Sequence, residues 1–562
     1  MGSAGVWARV RAVVAQAVRV WGAFAVCHTL WKLWRRARLV ARANRLMGHL
    51  PGAKFGLLQF DWLGHSQTSN MLTYYDYRSR YVTEHPGAAV TCGEGPFVEV
   101  FVNDRAGIKH VLKDDFNAFT KPAAGRDFIF ELLARFIGKN GIFVLSHGTG
   151  LGQARLEAAH ARWYTQRKTA SKIFTKSTFS NLMMETFLDK GAIMRATLLR
   201  DAGREVDFQK LSFNFTFDSI SRIFFGRAVD TVSGRDTDAY AQAYDNAHRA
   251  MVQIYLRYAA LHVGAQEALP FPLGTLGTEE SSFSLVMWAV LQFSPEGRDF
   301  ARQCETLQHG TREILAQARA DPKLALRRDL LANFLNSGEE LSDQDYCDII
   351  LNFIIAGRDT TACALSWLVF ELACHPDAQA RAKAEVDRVL QGREPTYELV
   401  NQKPFLSACM QEALRLHPPV PEDFKVCMRD STLPDGTRVP AGTKVTYSNY
   451  GLARSTALYA DARAFKPERW IDATGALIEL DEYQQPIFQS GSRICLGAAM
   501  ARTEVRALIS QLLMADEQST GVKFTISERE KNNVSWALMI TMSIANAPDR
   551  QSHQLLVTPQ PW

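Results

Sequence analysis

The chain contains 562 residues, of which 47% are hydrophobic and 22% are charged, and its formal net charge is +5. This composition indicates a globular protein with a large core, and the length alone would favour several domains. The nine cysteines are scattered without a C-x-x-C pair, which argues against a structural zinc site or a disulfide framework and indicates a reducing, cytosol-facing fold.

The basic excess is concentrated at the N-terminus. Ten Lys or Arg residues precede the first acidic residue, Asp61, so the rest of the chain carries a small excess of acidic residues. Residues 12–34 are rich in Ala, Val and Trp, and they are interrupted by Gln16, Arg19 and Lys32. Three arginines follow at positions 35, 36 and 38.

This N-terminal segment is a marginal membrane span, because about 20 apolar residues are needed to cross a bilayer. If it inserts, the arginines after it keep the rest of the chain on the cytosolic side. Two alternatives remain open: an amphipathic helix lying on the membrane surface, and an acid-poor organellar transit peptide. We predict an anchor or targeting segment at residues 1–49, which Leu50-Pro51-Gly52 ends with a rigid turn.

A small β region is predicted next. Residues 88–102 contain the runs A-A-V-T-C and F-V-E-V-F-V on either side of G-E-G-P, a pattern typical of a hairpin. A helix is predicted to begin at Asp104. From residue 169 to residue 335 the pattern is mostly that of amphipathic scaffold helices, with a loop at 270–272.

Trp163 and Arg167 are four residues apart, so a helix places them on one face. An indole N–H and a guanidinium there could both donate to a carboxylate. Taken alone, the pair also fits an ordinary amphipathic helix.

A long helix is predicted over residues 342–375. Ser342 and Asp345 form a capping box, Pro376 stops the helix, and the span between them would measure about 48 Å at 1.5 Å per residue. Arg358 and Asp359 interrupt its apolar sequence, which favours a buried core helix over a membrane span. Thr360 follows Asp359 directly and could form a proton-delivery pair with it, although a helical Thr commonly bonds back to its own helix.

Glu412 and Arg415 share a helix face at i, i+3, where an exposed pair would contribute only about 0.2–0.5 kcal/mol. The stretch F-Q-S-G-S-R-I-C-L-G at 488–497 is more informative, because it can build a protected pocket for the Cys495 sulfur. A thiolate binds iron well when backbone donors hold it away from solvent. Glycines at 491 and 497 allow a tight turn and a close approach to a flat cofactor, and Phe488 can shield the sulfur.

Phe488, Gly491, Arg493, Cys495 and Gly497 fit F-x-x-G-x-R-x-C-x-G, and the chain thereby resembles the cytochrome P-450 family. The resemblance implies a mainly α fold with a small β region and a single catalytic domain at residues 50–562. It also implies haem b as the cofactor, with Cys495 as the iron ligand.

Other motifs extend the resemblance. A-G-R-D-T-T at 356–361 is similar to the family's oxygen-activation motif, which implies that Asp359 and Thr360 manage protons. The W-x-x-x-R pattern implies that Trp163 and Arg167, with Arg493, hold the haem propionates. E-x-x-R and the later F-K-P-E-R-W imply a structural network of Glu412, Arg415 and Arg469.

Segments around 163–170, 356–367 and 421–448 resemble the fatty-acid ω-hydroxylase branch, within a likeness that covers about residues 50–542. This implies hydroxylation of a long-chain fatty acid or related lipid at or near its terminal carbon with O2. The expected substrate contacts are Phe353, Ala356, Gly357, Val420 and Phe424. Two departures are a possible insertion at 146–160, and Gln489-Ser490 with Ser492 where the branch often has Asn-Ala and Pro.

No flavin or nicotinamide domain fits within the chain, so we expect electrons from a separate NADPH-dependent flavoprotein reductase. The expected location is the cytosolic face of the endoplasmic reticulum membrane, or alternatively a plastid or other organelle, and no nucleic-acid partner is expected. Two other functions stay open: an isomerase or lyase that rearranges lipid hydroperoxides, and a non-catalytic haem-binding membrane protein.

Overall fold

A computed structural model describes residues 37–52, 74–87, 89–92, 98–121, 128–145, 153–234, 238–268, 285–517, 519–536, 541–546 and 554–562, with a few single positions between 16 and 34. The fold is mainly α with a small β region, as the sequence predicts. The helices are α1 (37–47), α2 (Tyr74–Thr83), α3 (Arg105–Lys109), α4 (Phe128–Ile137), α5 (Gln153–Ser171), α6 (Lys176–Thr178), α7 (Met184–Arg200), α8 (Phe208–Phe225), α9 (Ala239–Ala268), α10 (Leu285–Phe293), α11 (Pro295–Ala320), α12 (Leu330–Leu335), α13 (Asp343–Cys374), α14 (Pro376–Leu390), α15 (Tyr397–Val400), α16 (Pro404–Leu416), α17 (Asn449–Ala453), α18 (Ala498–Leu513) and α19 (Glu528–Asn533).

The strands are β1 (Val90–Cys92), β2 (Glu99–Phe101), β3 (Phe119–Thr120), β4 (Val206–Asp207), β5 (Glu422–Cys427), β6 (Ser431–Thr432), β7 (Arg438–Val439), β8 (Lys444–Ser448), β9 (Val522–Thr525), β10 (Val534–Trp536), β11 (Ile544–Asn546) and β12 (Leu556–Pro561). They form one five-stranded sheet in the order β1-β2-β8-β5-β3, together with three smaller sheets, β4-β12-β9, β6-β7 and β10-β11. Strands β2 and β8 run parallel, and the other pairs of the large sheet are antiparallel.

Helix α13 is the central element. The Ser342 hydroxyl and the Asp345 carboxylate form the predicted capping box at its start, and α14 begins at Pro376. Among the described residues, α13 alone is long and apolar enough to cross a membrane, but 78% of its apolar window is buried within the protein. It is therefore a core helix, as predicted.

Among the described residues, two large hydrophobic cores and one small cluster around Trp470 hold the fold. The larger core surrounds α13 and includes residues from α8, α9, α16 and α18. The smaller core lies against the five-stranded sheet and buries Val40, Ala43 and Met47 of helix α1. Helix α1 thus packs as part of the folded body.

The two strands of the predicted hairpin pair antiparallel as β1 and β2, and Asp104 caps helix α3. The hairpin turn, the loop at 270–272 and nearly all of the 12–34 segment lie outside the described residues. Residues 146–152 of the possible insertion also lie outside them, while 153–160 form the start of α5.

Candidate functional site

A cavity of about 600 Å³ lies between helix α13, the loop before α18, helix α5 and the strands β5 and β8. Most of its lining is apolar by area, but charged side chains also reach it, namely Lys121, Arg167, Glu422, Asp423, Lys425, Lys444, Arg493, Arg502 and Glu504. The predicted site residues that line it are Trp163, Arg167, Phe353, Ala356, Gly357, Thr360, Val420, Phe424, Phe488, Arg493, Cys495 and Gly497. The structure therefore brings together residues from four separate segments of the chain.

The loop that carries Cys495 is turned by two residues with positive φ, Gln489 at 59° and Gly491 at 61°. A Cβ at Gly491 would lie 2.3 Å from the Leu112 carbonyl oxygen, so glycine is required for both conformation and space. Gly491 serves this turn and lies outside the cavity lining. The Cys495 N–H donates to the Phe488 carbonyl at 2.8 Å, which closes the loop around the sulfur.

The Cys495 side chain has accessible area because it faces the cavity, yet protein surrounds it. Burial raises the pKa of its thiol, while the backbone N–H groups of Gly497 and Ala498 and the cationic Arg167 act in the opposite direction. A Cβ at Gly497 would approach only the Cys495 sulfur, at 3.9 Å, and would otherwise extend into open cavity space. Glycine here leaves room directly beside the sulfur.

Cationic groups gather on one side of Cys495. Arg493 stacks on the Trp163 ring at 4.2 Å and donates to the Leu145 carbonyl at 3.0 Å, and Arg167 donates to the Ile494 carbonyl at 2.6 Å. Burial, with Arg167 nearby, lowers the pKa of Arg493 to about 9. The two guanidinium groups disfavour each other's charge, so an anion between them would be stabilised.

A family model described as Cytochrome P450 matches residues 63–267 and 275–519. The chain belongs to the cytochrome P450 family. It is similar to Cytochrome P450 CYP94D108 of Paris polyphylla, 28% identical over 466 residues that cover 80% of this chain and 84% of the relative. It is also similar to Cytochrome P450 monooxygenase cyp1 of Mycosarcoma maydis, 29% identical over 430 residues (72% and 60%), and to Cytochrome P450 94A1 of Vicia sativa, 28% identical over 433 residues (74% and 75%).

As a P450, the chain is a monooxygenase, an oxidoreductase that uses O2, a haem-iron cofactor and a redox partner. The residues present fit this cofactor. A cysteine sulfur faces the cavity, the adjacent Gly497 leaves space that a Cβ would fill, and the half-buried guanidinium groups of Arg167 and Arg493 in the lining suit the carboxylates of a porphyrin.

Gln489, Asp423, Tyr447 and Lys425 form a hydrogen-bonded group in this P450 that the sequence did not predict. Gln489 donates to Asp423 at 2.9 Å and accepts from the Tyr447 hydroxyl at 2.6 Å, while the Lys425 ammonium donates to Asp423 at 2.7 Å. Lys121 also lines the cavity, and burial lowers its pKa to about 7. The alternation of side chains along β5 could have indicated part of this group, because Asp423 and Lys425 must share the face opposite Phe424.

Asp359 and Thr360 point in different directions. The Thr360 hydroxyl lines the cavity and donates to the Ala356 carbonyl at 2.7 Å, whereas the Asp359 carboxylate is fully buried away from the lining. Adjacent residues of a helix do not face each other, so closeness in sequence alone does not form a pair.

The partners of Asp359 come largely from helix α9. Tyr244 donates to its Oδ2 at 3.2 Å, His248 Nδ1 lies 3.3 Å from the same oxygen, and Arg358 donates to Oδ1 at 3.1 Å. Burial alone would raise the pKa of Asp359, but these three groups together lower it. No sequence motif marks Tyr244 or His248, because the pairing depends on how α9 crosses α13.

The cavity wall formed by α13 is shaped by packing against α8. A Cβ on Gly357 would lie 2.1 Å from the Ile220 Cδ1 atom, so the glycine allows close helix contact as well as an open wall. Phe353 packs edge-on against Phe224 at 5.5 Å. Val420 and Phe424 also line the cavity.

Glu412, Arg415 and Arg469 form one buried network. Arg415 donates twice to Glu412, both at 2.8 Å, and Arg469 donates to Glu412 at 2.9 Å. Arg415 also donates to the carbonyls of Ala453, Ala462 and Ala464. The network therefore ties helix α16 to the chain that precedes the Cys495 loop.

Proposed function

We propose that this P450 hydroxylates long-chain fatty acids, or related alkyl lipids, at or near the terminal carbon. The observation that carries the proposal is the apolar wall beside Cys495 and Thr360, built from Phe353, Ala356, Gly357, Val420 and Phe424. The sequence resemblance to the fatty-acid ω-hydroxylase branch supports the same substrate class.

A terminal methyl has a stronger C–H bond than the neighbouring methylenes, so selectivity for it must come from position. The bulky aromatic side chains of Phe353 and Phe424 in the lining favour a narrow passage for an extended chain. Discrimination against each extra methylene in such a passage is worth roughly 1–3 kcal/mol.

We propose haem b as the cofactor, with Cys495 as the iron ligand and with Trp163, Arg167 and Arg493 at the propionates. When bound, the haem supplies the oxygen chemistry, which thiolate ligation favours. Phe488 covers the sulfur, Gly491 sets the turn of the loop and Gly497 leaves room for the macrocycle. Glu412, Arg415 and Arg469 hold the scaffold around this loop.

Asp359 and Thr360 are proposed to move protons into the cavity. Because Thr360 now bonds to Ala356 and Asp359 to Tyr244 and His248, delivery requires Asp359 to rotate away from helix α9. The Thr360 hydroxyl then orders the water that carries the proton.

We propose that electrons come from an NADPH-dependent flavoprotein reductase and that the enzyme acts at the cytosolic face of the endoplasmic reticulum membrane. The arginine-flanked segment at 12–34 supports membrane attachment. The buried side chains of α1 favour a boundary between anchor and catalytic domain at residues 36 and 37 rather than at 49 and 50.

The test is turnover by purified enzyme with a flavoprotein reductase and NADPH. The substrates are a panel of saturated fatty acids, a sterol, a small aromatic and a lipid hydroperoxide. We expect terminal or near-terminal hydroxy acids. Oxidation of the sterol or the aromatic without any fatty-acid product would refute the substrate class, and rearrangement of the hydroperoxide without NADPH would refute the proposed reaction.

A further inference from the structure

The side chains of strand β5 face two different groups of residues. Alternate residues of a strand point to opposite faces, so Asp423 and Lys425 lie together on the face that meets Gln489 of the Cys495 loop. Glu422 and Phe424 lie on the other face. Both of these also line the cavity, beside residues of the proposed substrate passage.

Lys444 of strand β8 joins this second face. It pairs with Val426 in the register of β5 and β8, its ammonium lies 4.1 Å from the centroid of the Phe424 ring, and it lines the cavity. Val426 is four residues beyond Glu422, which corresponds to roughly 13 Å along the strand. The Lys444 backbone therefore lies beyond Glu422 as measured from Val420, and its side chain reaches back to the Phe424 ring and to Glu99.

A buried group of charges surrounds Lys444. Arg78 donates to Glu99 at 2.8 Å and to Glu422 at 2.9 Å, and the Lys444 ammonium lies 3.4 Å from Glu99. Burial acts to raise the pKa of Glu99, but Arg78 and Lys444 lower it to about 2, so this carboxylate stays ionised. The Thr446 hydroxyl donates to Glu99 as well, at 2.5 Å.

Glu422 gives this group of charges the capacity to accept an additional anion. Burial and the nearby Glu99 carboxylate raise the pKa of Glu422, although Arg78 acts in the opposite direction. The Glu422 Oε1 atom is buried and has no hydrogen-bond partner within the described structure. A proton taken up by Glu422 would remove one negative charge from this group, which would then accommodate the charge of an added carboxylate.

We infer that Lys444 binds the carboxylate of the fatty-acid substrate, with Glu422 as the acid that accommodates the added charge, while the alkyl chain runs along Phe424 toward Val420 and Thr360. The inference rests on the proposed function and names the polar end of the same site. A cation at one end of an apolar passage fixes the orientation of an anionic amphiphile. It thereby places the methyl end, rather than the carboxyl end, toward Cys495.

Calorimetric titration of the holoenzyme with dodecanoic acid, 1-dodecanol and dodecyltrimethylammonium, below their micelle concentrations, tests this inference. Wild-type enzyme should bind the acid more tightly than the alcohol and should exclude the cation. Lys444→Met removes the charge at similar volume and should weaken acid binding roughly ten- to a hundredfold, with alcohol binding changed less than about twofold. Lys444→Arg should retain the preference for the acid.

Lys531→Met is the matched control, because Lys531 lies on the exposed helix α19 outside the cavity lining. Equal weakening of acid and alcohol binding by Lys444→Met would mean that Lys444 acts only by packing on Phe424, and would overturn the inference. Unchanged acid binding would overturn it too. If Lys444→Met does not fold, tight binding of the cationic amphiphile by wild-type enzyme still refutes the inference. Fatty-acid turnover by wild-type enzyme is scored separately, so loss of this inference leaves the proposed function standing.

Discussion

Cys495 takes its position from an unusual backbone conformation at Gln489. A non-glycine residue in the left-handed region costs about 1–2 kcal/mol, and Asn, which the ω-hydroxylase branch often has here, adopts this conformation more readily. The longer Gln489 side chain reaches both Asp423 and Tyr447. These buried hydrogen bonds offset the backbone cost and connect the Cys495 loop to strand β5.

Replacement of Cys495 by His should abolish the red-shifted Soret band that thiolate ligation gives the reduced, carbon monoxide-bound protein. The reason is that an imidazole donates less electron density than a thiolate. Difference spectra of the reduced protein with and without carbon monoxide measure this. Cys374→Ala, at a cysteine outside the cavity lining, should keep the band. A Cys495→His variant that retains the band would show that another residue is the ligand.

Thr360→Ala should lower the amount of product formed per NADPH consumed several-fold, with the lost equivalents appearing as peroxide or water. The hydroxyl that lines the cavity would be gone, while the haem contacts would remain. Ser366→Ala is a close control, because Ser366 makes the same type of back-bond on α13, to the Ala362 carbonyl at 2.7 Å, but lies outside the lining. Equal coupling in wild-type enzyme and Thr360→Ala would remove Thr360 from proton delivery.

At the scale of elements, the crossing of α8 and α13 depends on Gly357. Gly357→Ala should lower the free energy of unfolding by about 1–3 kcal/mol, because the added Cβ meets the buried Ile220 side chain. Ile220→Ala removes both the Cδ1 and the Cγ1 atoms that this Cβ would meet, at 2.1 and 2.6 Å, so Gly357→Ala should cost much less in the Ile220→Ala background than in the wild type. Chemical denaturation of the four proteins of this cycle measures the coupling, and strictly additive effects would contradict the proposed contact.

The network that ties α16 to the Cys495 loop predicts a dependence on pH. Burial acts to raise the pKa of Glu412, but Arg415, the Lys466 N–H and Arg469 lower it overall. A depressed carboxyl pKa contributes stability that is present above the ordinary Glu value of about 4.3 and is lost as pH falls below it.

Glu412→Gln should therefore lower the free energy of unfolding by about 3–5 kcal/mol at pH 7, because it leaves the buried Arg415 guanidinium and the half-buried Arg469 guanidinium without their counter-charge. The difference from wild type should shrink as the pH is taken below about 4. Denaturation series at several pH values provide the measurement. A difference that stays constant across the acid range would mean that Glu412 is not ionised in the folded state.

Across the fold, the features that the sequence predicted are those that residues close together in the chain determine. The capping box of α13, the Asp104 cap and the pairing of β1 with β2 follow from neighbouring residues, and the Cys495 signature has fixed spacing. Contacts between distant segments were not predictable in this way. The hydrogen bond of Tyr244 with Asp359 joins residues 115 positions apart, and the contact of Arg78 with Glu422 joins residues 344 positions apart. Neither depends on a local pattern.

Helix α1 joins the N-terminal segment to the folded body. Val40, Ala43 and Met47 of α1 are each at least 92% buried in the core beside the five-stranded sheet, and Leu39 lies against Gly442. Fully burying a side chain such as that of Val40 or Met47 contributes about 1.5–3 kcal/mol, and the single methyl group of Ala43 contributes less. Helix α1 therefore packs with the folded body, although the sequence predicts that the anchor or targeting segment continues to residue 49.

Two truncations distinguish the roles of these neighbouring segments. Deletion of residues 2–36 should release the protein from carbonate-washed membranes while leaving its carbon monoxide spectrum and its thermal unfolding temperature close to those of the full chain. Deletion of residues 2–49 removes three buried side chains as well, and should lower the unfolding temperature of the protein by several degrees or more.

Full-length protein that leaves the membrane on a carbonate wash would exclude a spanning anchor and favour a segment that lies on the surface, because carbonate strips proteins that are held mainly by surface charge. If instead both deletions were equally stable, α1 would contribute no stability, and the anchor would extend to residue 49 as the sequence alone predicts.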